Sequence, residues 1–311
     1  MTIPGPSRVD LLTEVPRDGK DRPVVVPEEG GRPIALARSS KAAGTLEDRS
    51  NLERYGKRMT LRGAALLHPA DLRRAGDIDL EDPVGKREMN RLVERAERLS
   101  GSNAKAERGN HLHDLSEYVD RNEPLPAHAS EQDRIDMAAY MLSTSMLKQI
   151  HIEQFTVCSQ LKLGGTPDRV SFYDGPDPDG RPAGNLITDL KTGSVDYGEL
   201  KMAIQLGTYS RSKFYDHTRF QLPEHDPTDL KARWAAISKF KRQSFSAEDA
   251  VAAYRPLPDV NPNWGLIIHL PAGTGQCTVY WINLKVGWAA AQLAMQVRES
   301  RGTKVLTPFA A

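Results

Sequence analysis

Hydrophobic residues recur at helix-like intervals early in the chain and in short runs later. Leu52, Tyr55, Met59 and Leu61 have the spacing of an amphipathic helix. Further helices are predicted over 86–99, 104–119, 130–148, 196–215, 228–242 and 286–299. Strands are predicted over 154–158, 161–163, 169–173, 185–191, 265–270 and 277–284. This order predicts a mixed α/β domain built around one sheet, with a helical N-terminal extension.

The first 45 residues lack such a pattern. Prolines and glycines interrupt them at positions 4, 5, 6, 16, 19, 23, 27, 30, 31, 33 and 44. Because these residues break helices and strands, residues 1–45 are predicted to form a flexible arm. The predicted division of the chain is this arm, a helical region over 46–103 and a core over 104–311.

Composition argues against several classes of protein. No apolar run approaches the roughly 18 residues of a membrane-spanning helix, and residues 1–26 lack the apolar segment of a signal peptide. Cys158 and Cys277 cannot build a disulfide framework or a four-cysteine cluster. We therefore expect a cytoplasmic protein, in the bacterial host if a phage encodes it. The net charge of +1 leaves nucleic-acid binding open, because local basic patches matter more than the sum.

Positive charge is concentrated in two segments. Residues 32–74 contain ten Lys and Arg against four Asp and Glu, which fits either a solvated helix face or a surface that faces phosphates. The predicted helix over 228–242 is also basic, and together with the N-terminal basic region it fits the walls of a DNA channel. Trp234, Phe240 and Phe245 either stack on bases or pack into the core, and we expect at least two of them in the core.

Asp189, Leu190 and Lys191 end a predicted strand. Residues two apart in a strand point to one face, so Asp189 and Lys191 should lie side by side while Leu190 is buried. In a metal-assisted hydrolase the carboxylate holds a divalent cation, and the lysine holds or deprotonates the attacking water. Four acid–x–Lys triplets occur in the chain, but only this one lies in a predicted strand behind the apolar pair Leu186 and Ile187.

Asp168 follows a Gly-Thr-Pro turn and lies 21 residues before Asp189. A hairpin closed by the loop over 174–184 would bring the two aspartates together. Neighbouring carboxylates are costly unless a cation neutralises them, so this placement would indicate a metal site. Taken alone, Asp168 is more simply explained as a turn cap.

Two predicted helices carry further polar candidates. His113 lies one turn after Gly109 and on a different face from His111, so the two histidines cannot chelate one metal together. Gln205 and Tyr209 share a helix face, and such a pair can bind phosphate or base edges. In isolation, each of these residues also fits an ordinary surface or packing role.

The order of these motifs resembles that of the PD-(D/E)XK nuclease superfamily. A Gly-x-x-x-His helix, a Gly-x-x-Asp strand, an apolar-Asp-x-Lys strand and a Gln-x-x-x-Tyr helix follow one another within about residues 104–295. The chain looks like the RecB-type exonucleases, including CRISPR-adaptation nucleases and predicted exonucleases of actinobacterial phages. Residues 51–58 are also similar to the phage proteins. The resemblance implies a restriction-endonuclease-like fold, with a mixed central sheet flanked by helices.

The resemblance also implies a catalytic metal site. His113, Asp168 and Asp189 would be its ligands, and the Leu190 carbonyl would add a further oxygen. Hard oxygen ligands favour Mg²⁺ or Mn²⁺, and the histidine leans toward Mn²⁺. CRISPR-type relatives carry four cysteines for an iron–sulfur cluster, whereas this chain has two. We therefore predict no iron–sulfur cluster.

The same resemblance assigns roles to the remaining candidates. Lys191 would position and activate water. Gln205 and Tyr209 would contact the DNA backbone or orient the site. Glu153 resembles a recurrent glutamate of the family but is left outside the predicted site.

These features predict a metal-dependent DNA exonuclease that hydrolyses phosphodiester bonds in linear DNA with ends. Phage or bacterial recombination, repair or replication is the expected setting, with a single-strand annealing or recombination protein as partner and no membrane. The alternative is a non-catalytic DNA-end-binding accessory protein, which would not need Asp168, Asp189 and Lys191 together. A different hydrolase built on His111 and His113 is disfavoured, because no His-Glu-x-x-His pattern is present.

Overall fold

The computed structural model describes residues 15–102, 104–226 and 228–306. The chain divides into two compact units, a smaller one of residues 48–114 and a larger one formed by the chain before and after it. The protein is a mixed α/β protein, as the sequence predicts. No helix in the described residues combines the length and the apolar character that crossing a membrane requires.

The smaller unit is helical. It contains α2 (Ser50–Ala64), α3 (Pro69–Asp77), α4 (Pro83–Leu99) and the first part of α5 (Ala104–Asp120). Both α3 and α4 begin with proline, whose fixed φ suits the first turn of a helix. Asp82 caps α4 by accepting the Gly85 N–H over 3.2 Å. Local sequence signals therefore explain where these helices begin.

The larger unit contains a five-stranded sheet that we call the central sheet. Its strands are β4 (Leu147–Ile152), β7 (Arg169–Pro176), β8 (Pro182–Lys191), β11 (Trp264–His269) and β12 (Thr278–Asn283). They lie in the order β12-β11-β8-β7-β4. Strands β8 and β11 are parallel and the other neighbours are antiparallel. Because β8 lies in the middle, its residues 186–190 are buried.

A second five-stranded sheet corrects the prediction of a single sheet. Its strands are β3 (Ala37–Arg38), β5 (Thr156–Cys158), β6 (Leu163–Gly165), β9 (Lys213–Tyr215) and β10 (Tyr254–Pro256), in the order β10-β9-β5-β6-β3. Strands of two or three residues are too short to show a period of two, so β3, β9 and β10 were missed. Strand β9 falls at the end of the predicted helix over 196–215, whereas only residues 147–148 of β4 fall in the predicted helix over 130–148 and the rest of β4 has no predicted element.

The remaining helices pack around the two sheets of the larger unit. They are α1 (Ser39–Ala43), α6 (Glu131–Ser143), α7 (Glu199–Tyr209), α8 (Leu230–Phe240), α9 (Ala247–Val251) and α10 (Leu284–Ser300). Helices α7 and α10 approach so closely that a Cβ added to Gly287 would lie 1.9 Å from the Ala203 carbonyl oxygen. This glycine therefore fixes the position of α7 against α10.

Residues 15–45 differ from the predicted flexible arm. They form β1 (Val24–Val25), β2 (Ile34–Ala35), β3 and α1, and residues 24–26 are buried in the core. The Tyr254 hydroxyl donates to the Val26 carbonyl oxygen over 2.8 Å. The prolines prevent long helices here, but they do not prevent a short apolar ribbon from packing. Residues 1–14 of the predicted arm lie outside the described residues.

The aromatic residues near α8 lie largely as predicted. Phe240 is fully buried, and Phe245 is partly buried against the same hydrophobic cluster. Trp234, by contrast, is 50% exposed on the outer side of α8. The prediction that at least two of the three face the core is confirmed.

Candidate active site

Strands β7 and β8 form an antiparallel hairpin that brings Asp168 next to Asp189. Arg169 is paired with Thr188, so the same register continued by one residue places Asp168 opposite Asp189. The Leu190 N–H donates to Asp168 Oδ2 over 2.8 Å. The predicted hairpin is therefore confirmed, and the two carboxylates meet at its open end.

Asp189 and Lys191 lie on the same face of β8 and form an ion pair. Asp189 is buried, and burial raises the pKa of its carboxyl to about 6, with a further contribution from the charge of Asp168. Burial alone would lower the pKa of Lys191, but the negative charges of Asp189 and Asp168 raise it overall. The lysine is therefore an ammonium at neutral pH, suited to donate hydrogen bonds to water or to an anionic oxygen.

The backbone of Leu190 faces the same place. In a hydrogen-bonded strand position, the N–H and the carbonyl of one residue point toward the same neighbouring strand. Because the Leu190 N–H points to Asp168, its carbonyl points to the same side. The continued register puts Pro167 opposite Leu190, and proline has no N–H to donate. The geometry is thus compatible with the predicted role of this carbonyl as a ligand.

Glu153 lies beside the two aspartates. It occupies the turn after β4 with a φ of 50°, and its N–H donates to the Asp168 carbonyl oxygen over 3.0 Å. Burial is the main cause that raises the pKa of the Glu153 carboxyl to about 8. The negative charges of Asp168 and Glu117 act in the same direction. The sequence predicts no strand over 147–152, so the position of Glu153 at the end of β4 was not recognised from it.

Helix α7 contributes Gln205 and Tyr209. The Gln205 Nε2 donates to the Tyr209 hydroxyl over 3.3 Å, so the two residues share a face as predicted. Tyr209 is only 3% exposed, and a Cβ added to Gly165 would lie 2.7 Å from its hydroxyl oxygen. Burial raises the pKa of Tyr209 well above its usual value, and the charge of Asp189 acts in the same direction. The sequence left two roles open for Tyr209, and its burial favours orienting the site over contacting DNA.

Arg169 lies on the other side of β7 and was missed from the sequence. It is 2% exposed, pairs with Asp120, and donates to Ser116 Oγ over 2.5 Å. The Tyr140 hydroxyl donates to the other oxygen of Asp120 over 2.8 Å. Although burial acts against its charge, the pKa of Arg169 is raised by Tyr140 and Asp120. The residue that follows Asp168 in the chain therefore carries a permanent positive charge, on the opposite side of β7.

His113 lies on α5, in the part of the helix that belongs to the smaller unit. It precedes Glu117 by one helical turn, and Glu117 belongs to the larger unit. The role of His113 as a metal ligand stays a prediction. The structure brings together Asp168, Asp189 and Lys191 of the predicted set, with Glu153 beside them.

The carboxylate oxygens of Asp168 and Asp189 have the chemistry that a hard divalent cation prefers. Here Asp168 accepts from the Leu190 N–H, and Asp189 pairs with the Lys191 ammonium. Within the described residues, no three His, Cys, Asp or Glu side chains are arranged as a metal-binding group. Asp189 Oδ2 is buried and lacks a hydrogen bond of normal geometry, with the Lys191 ammonium as its ion-pair partner. A cation bound to Asp168 and Asp189 would neutralise their mutual repulsion. The residues therefore fit Mg²⁺ or Mn²⁺.

A separate groove of about 470 Å³ lies between α7, β12 and the start of α10. Its lining includes Ile267 and Tyr280 but none of the site carboxylates. Asp196 and Glu199 line it as well, so its charge does not suit a phosphate. The carboxylate cluster is therefore the better candidate for the active site.

No family model matches the chain, and no curated protein matches its sequence. The interpretation of the site consequently depends on its geometry and on the sequence motifs.

Proposed function

We propose that the protein is a metal-dependent deoxyribonuclease of the PD-(D/E)XK type with a restriction-endonuclease-like central sheet. The observation that carries the proposal is the meeting of Asp168, Asp189 and Lys191 at the open end of one hairpin. The hairpin lies inside a mixed sheet in which β11 is parallel to β8. Helix α7 is the next element after β8 in the chain. Mixed strand directions and this site arrangement both suit the proposed family.

The proposed cofactor is Mg²⁺ or Mn²⁺, held by Asp168, Asp189 and the Leu190 carbonyl, and His113 is a further ligand only on the sequence resemblance. When bound, such an ion offsets charge on the phosphate and lowers the pKa of a bound water. The protein supplies the remaining parts. The Lys191 ammonium donates to the attacking water or to a phosphate oxygen and orients it, and Asp189 keeps the ammonium in place. No iron–sulfur cluster is part of the proposal.

Tyr209 and Gln205 support the site from α7. The buried tyrosine fixes the Gln205 amide through their hydrogen bond, so the amide can orient the backbone of the DNA strand. Exonuclease action on linear DNA, a role in recombination or repair, and pairing with a strand-annealing protein are proposed from the sequence resemblance. They extend the proposal beyond the geometry of the site.

A non-catalytic DNA-end-binding protein is the competing function. Its surface would need cations, but it would not need a buried and a half-buried aspartate beside a lysine. Desolvating such charges costs several kcal/mol per ion before pairing returns part of it. A binding module gains nothing from that arrangement, so the catalytic interpretation explains the structure better.

Cleavage of end-labelled linear DNA tests the proposal. Single- and double-stranded substrates are incubated with Mg²⁺, Mn²⁺ or EDTA, with a closed circle beside them. Lys191→Ala should abolish metal-dependent degradation. Lys201→Ala is the matched control. Lys201 also ends an acid–x–Lys triplet, but it lies on α7 and pairs with Glu47 over 3.0 Å.

Degradation by wild type and by Lys201→Ala, but not by Lys191→Ala, would establish the nuclease. Survival of the circle would establish exonuclease action. If wild type binds the DNA and leaves every substrate intact with both metals, the end-binding function replaces the catalytic one.

A further inference from the structure

Helix α8 and the turn after it carry an unusual concentration of cations. Five of them lie on the helix or in the turn after it, namely Lys231, Arg233, Lys239, Lys241 and Arg242. No Asp or Glu occurs over residues 230–242. None of the five forms an ion pair with the described residues, whereas Lys213, for example, pairs with Glu28.

An aromatic side chain lies among these cations. Lys231, Trp234 and Ser238 are three or four residues apart, which places them along one side of the helix, and Arg242 follows in the turn after it. Trp234 is 50% exposed, and Leu230, one turn before it, is 61% exposed. The opposite side is buried and consists of Ala236, Ile237 and Phe240. The rise of 1.5 Å per residue puts the backbones of Lys231 and Lys239 about 12 Å apart.

Helix stability does not explain this composition. Cations near a helix C-terminus are favourable because they offset the macrodipole, which accounts for Lys239 and the residues after it. Lys231 and Arg233 lie in the first turn or just after it, where the same dipole disfavours positive charge. An exposed tryptophan ring also does not stabilise the protein, because its apolar surface stays in water. The face is therefore better explained by a partner.

We propose that this face of α8 binds a single strand of nucleic acid, with a base stacked on Trp234 and phosphates held by the flanking cations. The inference rests on the proposed nuclease function, which supplies the reason for a nucleic acid as partner. It deepens that function by naming single-stranded DNA as the form that the protein engages.

The chemistry of the face favours a single strand over other anionic partners. Bases of a duplex are stacked inside the helix, so only an unpaired base offers its face to Trp234. An acidic protein would satisfy the cations but would leave the tryptophan without a specific partner. A membrane surface would need a broader apolar face than Leu230 and Trp234 provide.

Binding of fluorescein-labelled oligo(dT) of about 20 nucleotides, longer than one expected site, tests the proposal by fluorescence anisotropy in EDTA. A duplex of equal length, polyglutamate and anionic vesicles are the other probes. The variants are Trp234→Ala, Trp234→Phe and Lys231→Gln/Arg242→Gln. The control Arg301→Gln/Lys304→Gln removes two exposed cations elsewhere. Thermal unfolding of each variant checks that it is folded.

Trp234→Ala should weaken oligo(dT) binding about 5- to 150-fold, the range of one lost base–aromatic stack. Trp234→Phe should retain most of the affinity, because it keeps an aromatic face. The Lys231→Gln/Arg242→Gln variant should reduce the slope of log affinity against log salt by about 1.4, which corresponds to two phosphate contacts of a single strand. The control should leave both quantities near wild type.

Three results would overturn the proposal. These are unchanged oligo(dT) binding by Trp234→Ala, an equal loss of duplex binding, and binding of polyglutamate or vesicles with the same dependence on Trp234. The outcome of the cleavage assay does not depend on the outcome of this binding assay. Trp234-dependent binding of oligo(dT) by a protein that cleaves nothing would support the surface and reject the nuclease.

Discussion

Arg169 and Asp120 form an ion pair whose side chains are only 2% and 3% exposed. It lies on the side of β7 opposite to the active-site carboxylates. Ser116 and Tyr140 complete the hydrogen bonds of the pair. The pair therefore couples the strand that delivers Asp168 to two helices, α5 and α6.

Loss of the Arg169 charge should destabilise the protein strongly. Arg169→Met should lower the free energy of unfolding by about 3–5 kcal/mol, because Asp120 is left buried without its partner. Urea unfolding measures the change. Lys213→Met, which breaks an exposed pair with Glu28, should cost no more than about 1 kcal/mol. Equal losses for the two variants would contradict the structural role of Arg169.

His217 should make stability depend on pH. Burial lowers the pKa of His217 to about 4, against a small opposing effect of Asp216, and no hydrogen bond reaches its Nε2 among the described residues. The unfolded chain takes up a proton near pH 6.5 and the folded protein only near pH 4. Stability should therefore fall as pH decreases between these values, by about 3 kcal/mol in all.

The measurement is the difference between the unfolding free energies of wild type and His217→Gln across this pH range. Subtraction removes the contribution of carboxylates that titrate in both proteins. The wild type should lose more stability than the variant between pH 6.5 and 4. Parallel curves would show that folding does not lower the pKa of His217.

Asp136 should hold the loop between β11 and β12. It is fully buried, and its two oxygens accept the N–H groups of Gly273 and Gly275 over 2.9 Å each. Asp136→Ala should cost about 1–3 kcal/mol and should release these two amides to hydrogen exchange. Asp249→Ala removes the carboxylate that accepts from the exposed N-cap Ser246 hydroxyl, and this control should leave their protection intact. Persistent protection in Asp136→Ala would refute the clamp.

Gly165 should control the position of Tyr209. Gly165→Ala would force its Cβ against the tyrosine hydroxyl, so it should destabilise the protein by about 1–3 kcal/mol and reduce DNA cleavage. Adding Tyr209→Phe removes the hydroxyl and should restore part of the stability, because the ring carbon Cε1 would still lie 2.9 Å from the added Cβ. Because Gln205 then loses its partner, cleavage should remain low. A double variant that is no more stable than Gly165→Ala would contradict the close contact.

The parts of the fold that the sequence predicts share one property, which is length. Strand β8 and helix α5 span ten and 17 residues, so their hydrophobic and polar positions repeat several times. The motif at Asp189 could be placed because β8 is such an element. The strands of the second sheet have two or three residues each, and only their pairing partners make them strands.

The candidate site was likewise predictable where its residues are local. Asp168 and Asp189 meet through one hairpin, and Gln205 and Tyr209 through one helical turn. Arg169 was not predictable, because an arginine in a strand is normally exposed and its burial depends on Asp120 from a distant helix. Tertiary pairing of this kind leaves no periodic trace in the sequence.

The hairpin that carries Asp168 and Asp189 has a consequence for the order of folding. Its contacts are local, and isolated hairpins form within about 1–10 μs. The second sheet instead joins β3 near residue 37 to strands that end with β10 at residue 256, and contacts of such separation form slowly. We therefore expect the paired aspartates to be assembled early, while the strand order around them is completed only after most of the chain has been synthesised.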